Sequence, residues 1–189
     1  MLKTMNETKH DAIMMVADLM AAAALTAPKG SGKDTIRTAI ITGEEKDRLR
    51  DKMIAHGEAL DHPNFIRDAG NVDRSEAVVL IACTGNYFGL PDCGMCGFEN
   101  CGQCRKAGAR CVFTVSDLGI ATGSAASIAA DNRIDNRIMF TAGNMALKLG
   151  FLPDDAEICY AIPLSVSNKS IFFDRGPGAV MNLSTETGK

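Results

Sequence analysis

The segment AVVLIAC at 77–83 is an unbroken apolar run. A strand with one face in water alternates apolar and polar residues. A run without alternation, β-branched at Val78, Val79 and Ile81, reads instead as a strand covered on both faces. Helices elsewhere in the chain must then supply the cover. The chain has 189 residues, of which 46% are hydrophobic. That is enough for one domain over 1–189 with a core that needs no disulfide staples.

The candidates for that cover are readable. Residues 6–26 predict a first helix with Asn6 as N-cap and Pro28 beyond its end, and Met14, Ala17, Ala21 and Ala24 recur at helical spacing. TIRTAIIT (35–42) predicts a strand, and 43–57 an amphipathic helix that is acidic in its first turn. Residues 62–76 read as irregular with at most a short helix. Ser116 and Asp117 read as the cap of a small-residue helix over 118–132, and a further helix is expected over 135–149. EICYAIPLS (157–165) predicts a strand, 169–175 a fourth strand or extended arm, and the end of the chain a polar tail.

The net charge of −3 and the absence of tryptophan point away from nucleic acid and anionic membrane as partners. The apolar stretch at 12–27 follows Glu7 and Asp11 and contains Asp18, which a secretory leader would exclude, and it is short for a bilayer span. An odd count of seven cysteines fits a reducing compartment. The expected location is cytoplasmic.

The chemistry is concentrated in DCGMCGFENCGQC (92–104), within a Gly-rich insertion over 84–112. The spacing is Cys93-x2-Cys96-x4-Cys101-x2-Cys104, with Cys111 seven positions on. Disulfides suit the compartment poorly, and a thioredoxin-like pair needs its C-x-x-C at a strand-to-helix junction. Zinc is the alternative metal, but the two knuckles are close together and none of the three histidines lies in the segment. A 4Fe-4S cluster fits best. It is larger than one ion, Gly94, Gly97 and Gly102 permit tight turns that aim N–H groups at its sulfurs, and its fourth ligand commonly comes from farther along the chain. The expected ligands are Cys93, Cys96, Cys101 and Cys111, with Cys104 as the alternative fourth ligand. Cys83 and Cys159, in predicted strands, read as small core residues.

Other features carry weaker expectations. KGSGKD (29–34) fails as a nucleotide-hydrolase loop because position 27 is alanine and position 34 aspartate, yet Lys29 and Lys33 are candidates to hold a phosphate. Asp131, Arg133, Asp135 and Arg137 predict a salt-bridged turn, with Asn136 and Arg137 as candidates to line a cofactor pocket. Arg175 is a further phosphate candidate. The Ala/Gly-rich helix at 118–132 suggests close packing against its own copy, hence a homodimer.

The cysteine segment, with SDLGIATGSAASIAADNRIDNRIMFTAG and IPLSVSNKSIFFDR, resembles the bacterial and archaeal ferredoxin-domain-containing proteins of unknown function. The likeness runs from AAAALTAPKGSG to FFDR. It implies a cluster on Cys93, Cys96, Cys101 and Cys111, a cofactor class rather than a reaction. A second, weaker resemblance is to FMN-dependent nitroreductases, through AAAALTAPKGSG, DLGIATGSAASIAADN and LGFLPDDAEICYAIPLS. It implies an α+β sandwich, a mixed sheet flanked by helices, dimeric, with FMN at the subunit interface. The Arg-Arg-Ser/Thr segment with which nitroreductases hold the flavin phosphate has no counterpart in 1–10. The functions in play are an iron–sulfur electron carrier serving a redox partner protein or small-molecule donor or acceptor, a flavin oxidoreductase with the cluster as relay, and a zinc-stapled binding domain.

Overall fold

A computed structural model describes residues 2–173. Its elements in chain order are α1 (Met5–Thr26), β1 (Ile36–Ile41), α2 (Gly43–Ala59), α3 (Pro63–Arg74), β2 (Ala77–Thr84), α4 (Cys101–Lys106), α5 (Val112–Asp131), β3 (Asp135–Asn136), α6 (Phe140–Lys148) and β4 (Ala156–Ser165). The sheet order is β1-β2-β4-β3. Every pairing is antiparallel among the described residues, where a mixed sheet was expected.

β2 is buried along its whole length and hydrogen-bonded on both edges. Its side chains alternate between two cores. Val79, Ile81 and Cys83 point to α1 and α5, meeting Ile13, Val16, Met20, Leu118, Ala121 and Ala125. Val78, Leu80 and Ala82 point to α2, α3 and α6, meeting Leu49, Met53, Val72, Met145 and Ala146. The result is the expected α+β sandwich of helices on both faces of a sheet. Each fully buried Val, Leu or Ile contributes about 1.5–3 kcal/mol over leaving it exposed. Small residues let the helices come close. At Gly143 on α6 an added Cβ would run into the backbone carbonyl of Cys159 on β4.

Several local expectations change. The N-cap of α1 is Thr4, not Asn6, because Thr4 and Glu7 form a reciprocal capping box. Residues 63–74 are a full helix. Pro63 starts it, and Phe65, Ala69 and Val72 recur at helical spacing and are buried. α5 begins at Val112, with Cys111 rather than Ser116 or Asp117 at its N-cap position. The helix expected over 135–149 starts only at Phe140. Asp135 and Asn136 pair with β4, and Met139 bridges Ala161, which holds that stretch extended. Residues 171–173 form a turn rather than a strand, and the remainder of the arm and tail lies outside the described residues. Among the described helices, α5 alone is long and apolar enough to cross a membrane, and its Leu118, Ala121, Ala125 and Ala129 are buried in the core.

The close approach at Gly143 makes a prediction. Gly143→Ala meets backbone that cannot step aside and should lower the unfolding free energy by about 1–3 kcal/mol. Gly70→Ala on α3 has open space at its Cβ and should raise it by about 0.5–1 kcal/mol. Urea midpoints of the two variants measure both.

Candidate functional site

The insertion between β2 and α5 is tied down at both ends. The Thr114 hydroxyl donates to the Asn86 carbonyl at 2.7 Å, and the Tyr87 hydroxyl to the Ala109 carbonyl at 2.6 Å. Arg105 stacks over the Tyr87 ring at 4.9 Å. Arg110 forms an ion pair with Glu157 at the start of β4. Inside these ties, Asn100 caps α4 by accepting from the Gln103 N–H at 3.0 Å. The turn before it uses left-handed backbone at Gly94 (φ 54°) and Gly97 (φ 84°), which glycine adopts without strain.

This framework gathers thiols. Cys101 and Cys104 lie one turn apart on α4 and therefore on one face of it. Cys104 is 1% exposed. It donates to the Arg110 carbonyl at 3.6 Å. Burial, the Cys96 contact and repulsion from the neighbouring thiolates push the Cys104 thiol above its ordinary value.

Cys111 goes the other way. Burial acts to raise its thiol, but N–H groups of Phe88, Thr114 and Phe113, with the Thr114 hydroxyl, outweigh it and hold the thiol below the ordinary cysteine value. Cys93 lies half-buried on the turn between Asp92 and Gly94. Among the described residues, no group of three or more His, Cys, Asp or Glu side chains closes on a single ion. Cys83 and Cys159 are core residues, as expected. Burial pushes Cys83 up to about 11 and Cys159 up to about 12.

Phe88 connects this site to the loop after α1. Its ring lies 5.6 Å from that of Phe113, and Lys33 stands over it at 5.2 Å. The ring packs so tightly on Gly30 that an added Cβ there would sit 2.5 Å from it. The Gly30 N–H donates to both oxygens of the buried Asp117, each at 3.1 Å. Lys29 bonds the carbonyls of Leu25 and Ala27. A narrow cleft lies beside Cys111, between Thr84, Asn86, Thr114 and the Arg110–Glu157 pair.

The other candidates lie apart from this. Arg137 pairs with the buried Asp68 of α3 at 3.0 Å, and Thr141 donates to the same carboxylate at 2.8 Å. The ion pair expected within the 131–137 turn is thus made across the fold instead. Asn136 donates to the Ile134 carbonyl. Arg175 lies outside the described residues. Sequence reasoning missed Phe88, Thr114, Asp117 and the Arg110–Glu157 tie, which join segments distant in sequence. It also missed α4, for which Asn100-x-x-Gln103 was a legible capping signal.

The thiols make two predictions. Alkylation of the cluster-free protein should label Cys93, Cys96 and Cys101 first and leave Cys83 and Cys159 unlabelled until denaturant is added, as read by peptide mapping. Cysteines of the unfolded chain ionise near pH ~8.5, whereas Cys83 keeps its proton to about 11. The stability this group contributes is present below the first value and lost as pH rises toward the second. Unfolding free energy should fall with pH across that window, less steeply in Cys83→Ala.

Comparison with known proteins places these features among relatives. Residues 107–175 match the family model described as "Uncharacterized protein containing a ferredoxin domain (DUF2148)". An uncharacterised protein of Archaeoglobus fulgidus is 40% identical over 185 residues, covering 94% of this chain and 99% of its own. Among solved structures, nitroreductase CinD from Lactococcus lactis, in complex with nicotinic acid, superposes with a TM-score of 0.56 at 16% identity, covering 89% of this chain and 84% of its own. The FMN-dependent nitroreductase NfnB from Mycobacterium smegmatis, in complex with NADPH, gives 0.56 at 10% identity, covering 82% and 78%. A nitroreductase with bound FMN from Desulfitobacterium hafniense gives 0.54 at 14% identity, covering 89% and 81%. At these identities the likeness establishes the nitroreductase fold and nothing more.

Proposed function

Because the chain belongs to the family of proteins described as containing a ferredoxin domain, we propose that it is an iron–sulfur redox protein with a 4Fe-4S cluster in its 84–112 insertion. The observation that carries this reading is the placement of Cys101 and Cys104 on one face of α4, with Cys111 at the N-cap position of α5, within one short loop–helix unit. The donor set is all thiolate, which suits an iron–sulfur cluster. The two C-x-x-C pairs are close together and no histidine lies in the segment, which speaks against zinc. A cluster held here would supply one-electron transfer. The protein's own part is to hold the thiolates, present the N-terminus of α5 to the Cys111 sulfur, and fix the insertion against β4 through Arg110 and Glu157. Hydrogen bonds to ligand sulfurs raise a cluster's potential, so the N–H groups at that terminus would tune it. The electron is exchanged with a partner protein or small molecule at the exposed insertion.

Anaerobic purification, with iron, sulfide, zinc and flavin assayed on one sample, tests this. The expected result is a visible absorption that bleaches with dithionite, with about four irons and matching sulfide per chain. Stoichiometric zinc, or a colourless protein without metal, overturns it.

A flavin-dependent oxidoreductase is the second reading. The contact from Phe113 of α5 through Phe88 to Gly30 and Lys33 favours it, since a group bound at that loop would lie beside the cysteine insertion. The Asp117 carboxylate on the Gly30 N–H opposes a phosphate at that donor. Bound flavin in the same assay would promote this reading.

The reading includes a cytoplasmic homodimer. Met15, Leu19 and Leu25 of α1 and Ile120 of α5 are all 45–57% exposed. These are apolar side chains that a second copy of the α1–α5 layer would cover. Light scattering should give twice the 20.1 kDa chain mass, and Leu19→Glu should shift it to the single-chain value.

A further inference from the structure

A groove of about 240 Å³ opens between Phe140, Asn144 and Leu147 of α6 and residues 157–160 of β4. It runs along a stretch of sheet edge that no strand covers among the described residues. β3 pairs with β4 only at Leu164 and Ser165, and Met139 exchanges both backbone bonds with Ala161, at 2.8 and 3.0 Å. Alternate residues of an antiparallel strand turn their backbone groups to the same edge, so Cys159 faces this way as well. Its carbonyl is closed off by Gly143, where an added Cβ would run into it. α6 therefore blocks a further strand from pairing here, and the space that remains suits a small molecule.

The lining sets the chemistry of that molecule. Leu147, Ile158 and Phe140 give apolar walls. The Phe140 ring is 57% exposed, yet Phe65 holds it edge-on with ring centroids 6.2 Å apart. A fixed and exposed ring at a cavity wall is a platform for a second ring, because aromatic pairs attract in offset and edge-to-face arrangements. The Asn144 amide and the Tyr160 hydroxyl join it, and neither is engaged in a hydrogen bond among the described residues. Of the lining side chains only Glu157 carries a charge, and Arg110 pairs with it, so the groove favours a neutral guest. A cavity of about 150 Å³ accepts benzene. This one has room for a ring with a substituent.

We propose that the groove is a binding site for a small neutral aromatic molecule with a carbonyl or carboxamide group, its ring on Phe140 and its polar group on Asn144 and Tyr160. An apolar pocket with a few polar groups to fix orientation is the usual form of such a site. It uses none of the insertion's thiols and stands apart from the iron–sulfur reading. It is nevertheless close to them, since Glu157 and Ile158 line both this groove and the narrow cleft beside Cys111.

Benzamide is the probe. The full chain, labelled with 15N, is titrated with it, and with benzoate, benzylamine and cyclohexanecarboxamide as controls for charge and for the ring. Saturable shifts of backbone amides confined to 140–147 and 157–160 are expected, with benzamide binding at least about threefold more tightly than each control. Asn144 and Phe140 are exposed, so replacing them leaves the core in place. Asn144→Ala and Phe140→Ala should each weaken benzamide by roughly threefold to tenfold, and Asn144→Trp, which fills the groove, should abolish the shifts. The amide spectrum of each variant reports whether it has folded.

The absence of saturable shifts in the two segments of the wild type overturns the proposal, and so does equal binding of all four compounds. Wild-type affinity in Asn144→Trp, or in both alanine variants, overturns it as well. An extended peptide that shifts 156–160 where benzamide does not would overturn it in favour of strand pairing. Because the readout involves no metal, none of these outcomes bears on the cluster, and loss of the cluster reading would leave this one standing.

Discussion

The two-sided burial of β2 is the constraint on which the rest depends. A strand with no polar face cannot stop at one layer of cover, because either open face would leave a row of Val, Leu and Ile in water. α1 with α5 covers one face, and α2, α3 and α6 cover the other. The antiparallel neighbours β1 and β4 take its backbone hydrogen bonds on both edges. With β2 so enclosed, its C-terminal end at Thr84 and the N-terminal end of α5 come to the same end of the domain. The cysteine insertion spans that short gap.

This arrangement explains how a glycine-rich loop is held in place. Its anchors are a few contacts back to the elements it connects: Thr114 to Asn86, Tyr87 to Ala109, and Arg110 to Glu157. The position of Cys111 at the start of α5 matters most. The first N–H groups of a helix lack intrahelical acceptors, and Cys111 stands beside them at the N-cap position. The thiol is thereby favoured in its ionised form, the form that binds metal. The same end of the domain carries Gly30 and Lys33 against Phe88. The cysteine insertion and the loop after α1 thus form one contiguous region, though they are distant in sequence.

Particular residues show which parts were legible beforehand. The strands at 35–42, 77–83 and 157–165 are found at Ile36–Ile41, Ala77–Thr84 and Ala156–Ser165. Each is short, apolar and bounded by turn residues, so local composition suffices. α3 was missed although Pro63 and the Phe65, Ala69, Val72 spacing announce it. Its polar residues Asn64, Asp68 and Asn71 masked the pattern, and all three are buried. Asp68 is the clearest case. A carboxylate in the middle of a helix reads as solvated, yet here it answers Arg67, Arg137 and Thr141 from three directions. Asp117 likewise read as a cap and is instead the acceptor for a loop N–H 87 positions away.

The sequence alone determined the layering, the grouping of five cysteines, and their suitability for an iron–sulfur cluster, because periodicity and spacing along the chain are local properties. Only the tertiary structure decided how deeply each thiol is buried and what it meets. It buried Cys104 against the Arg110 carbonyl, set Cys111 at the N-terminus of α5, and spent Arg137 on Asp68 rather than on a cofactor. The physical reason is that a thiol's or a cation's role is set by the groups within a few ångströms of it. In this chain those groups arrive from other elements, brought together by the burial of β2.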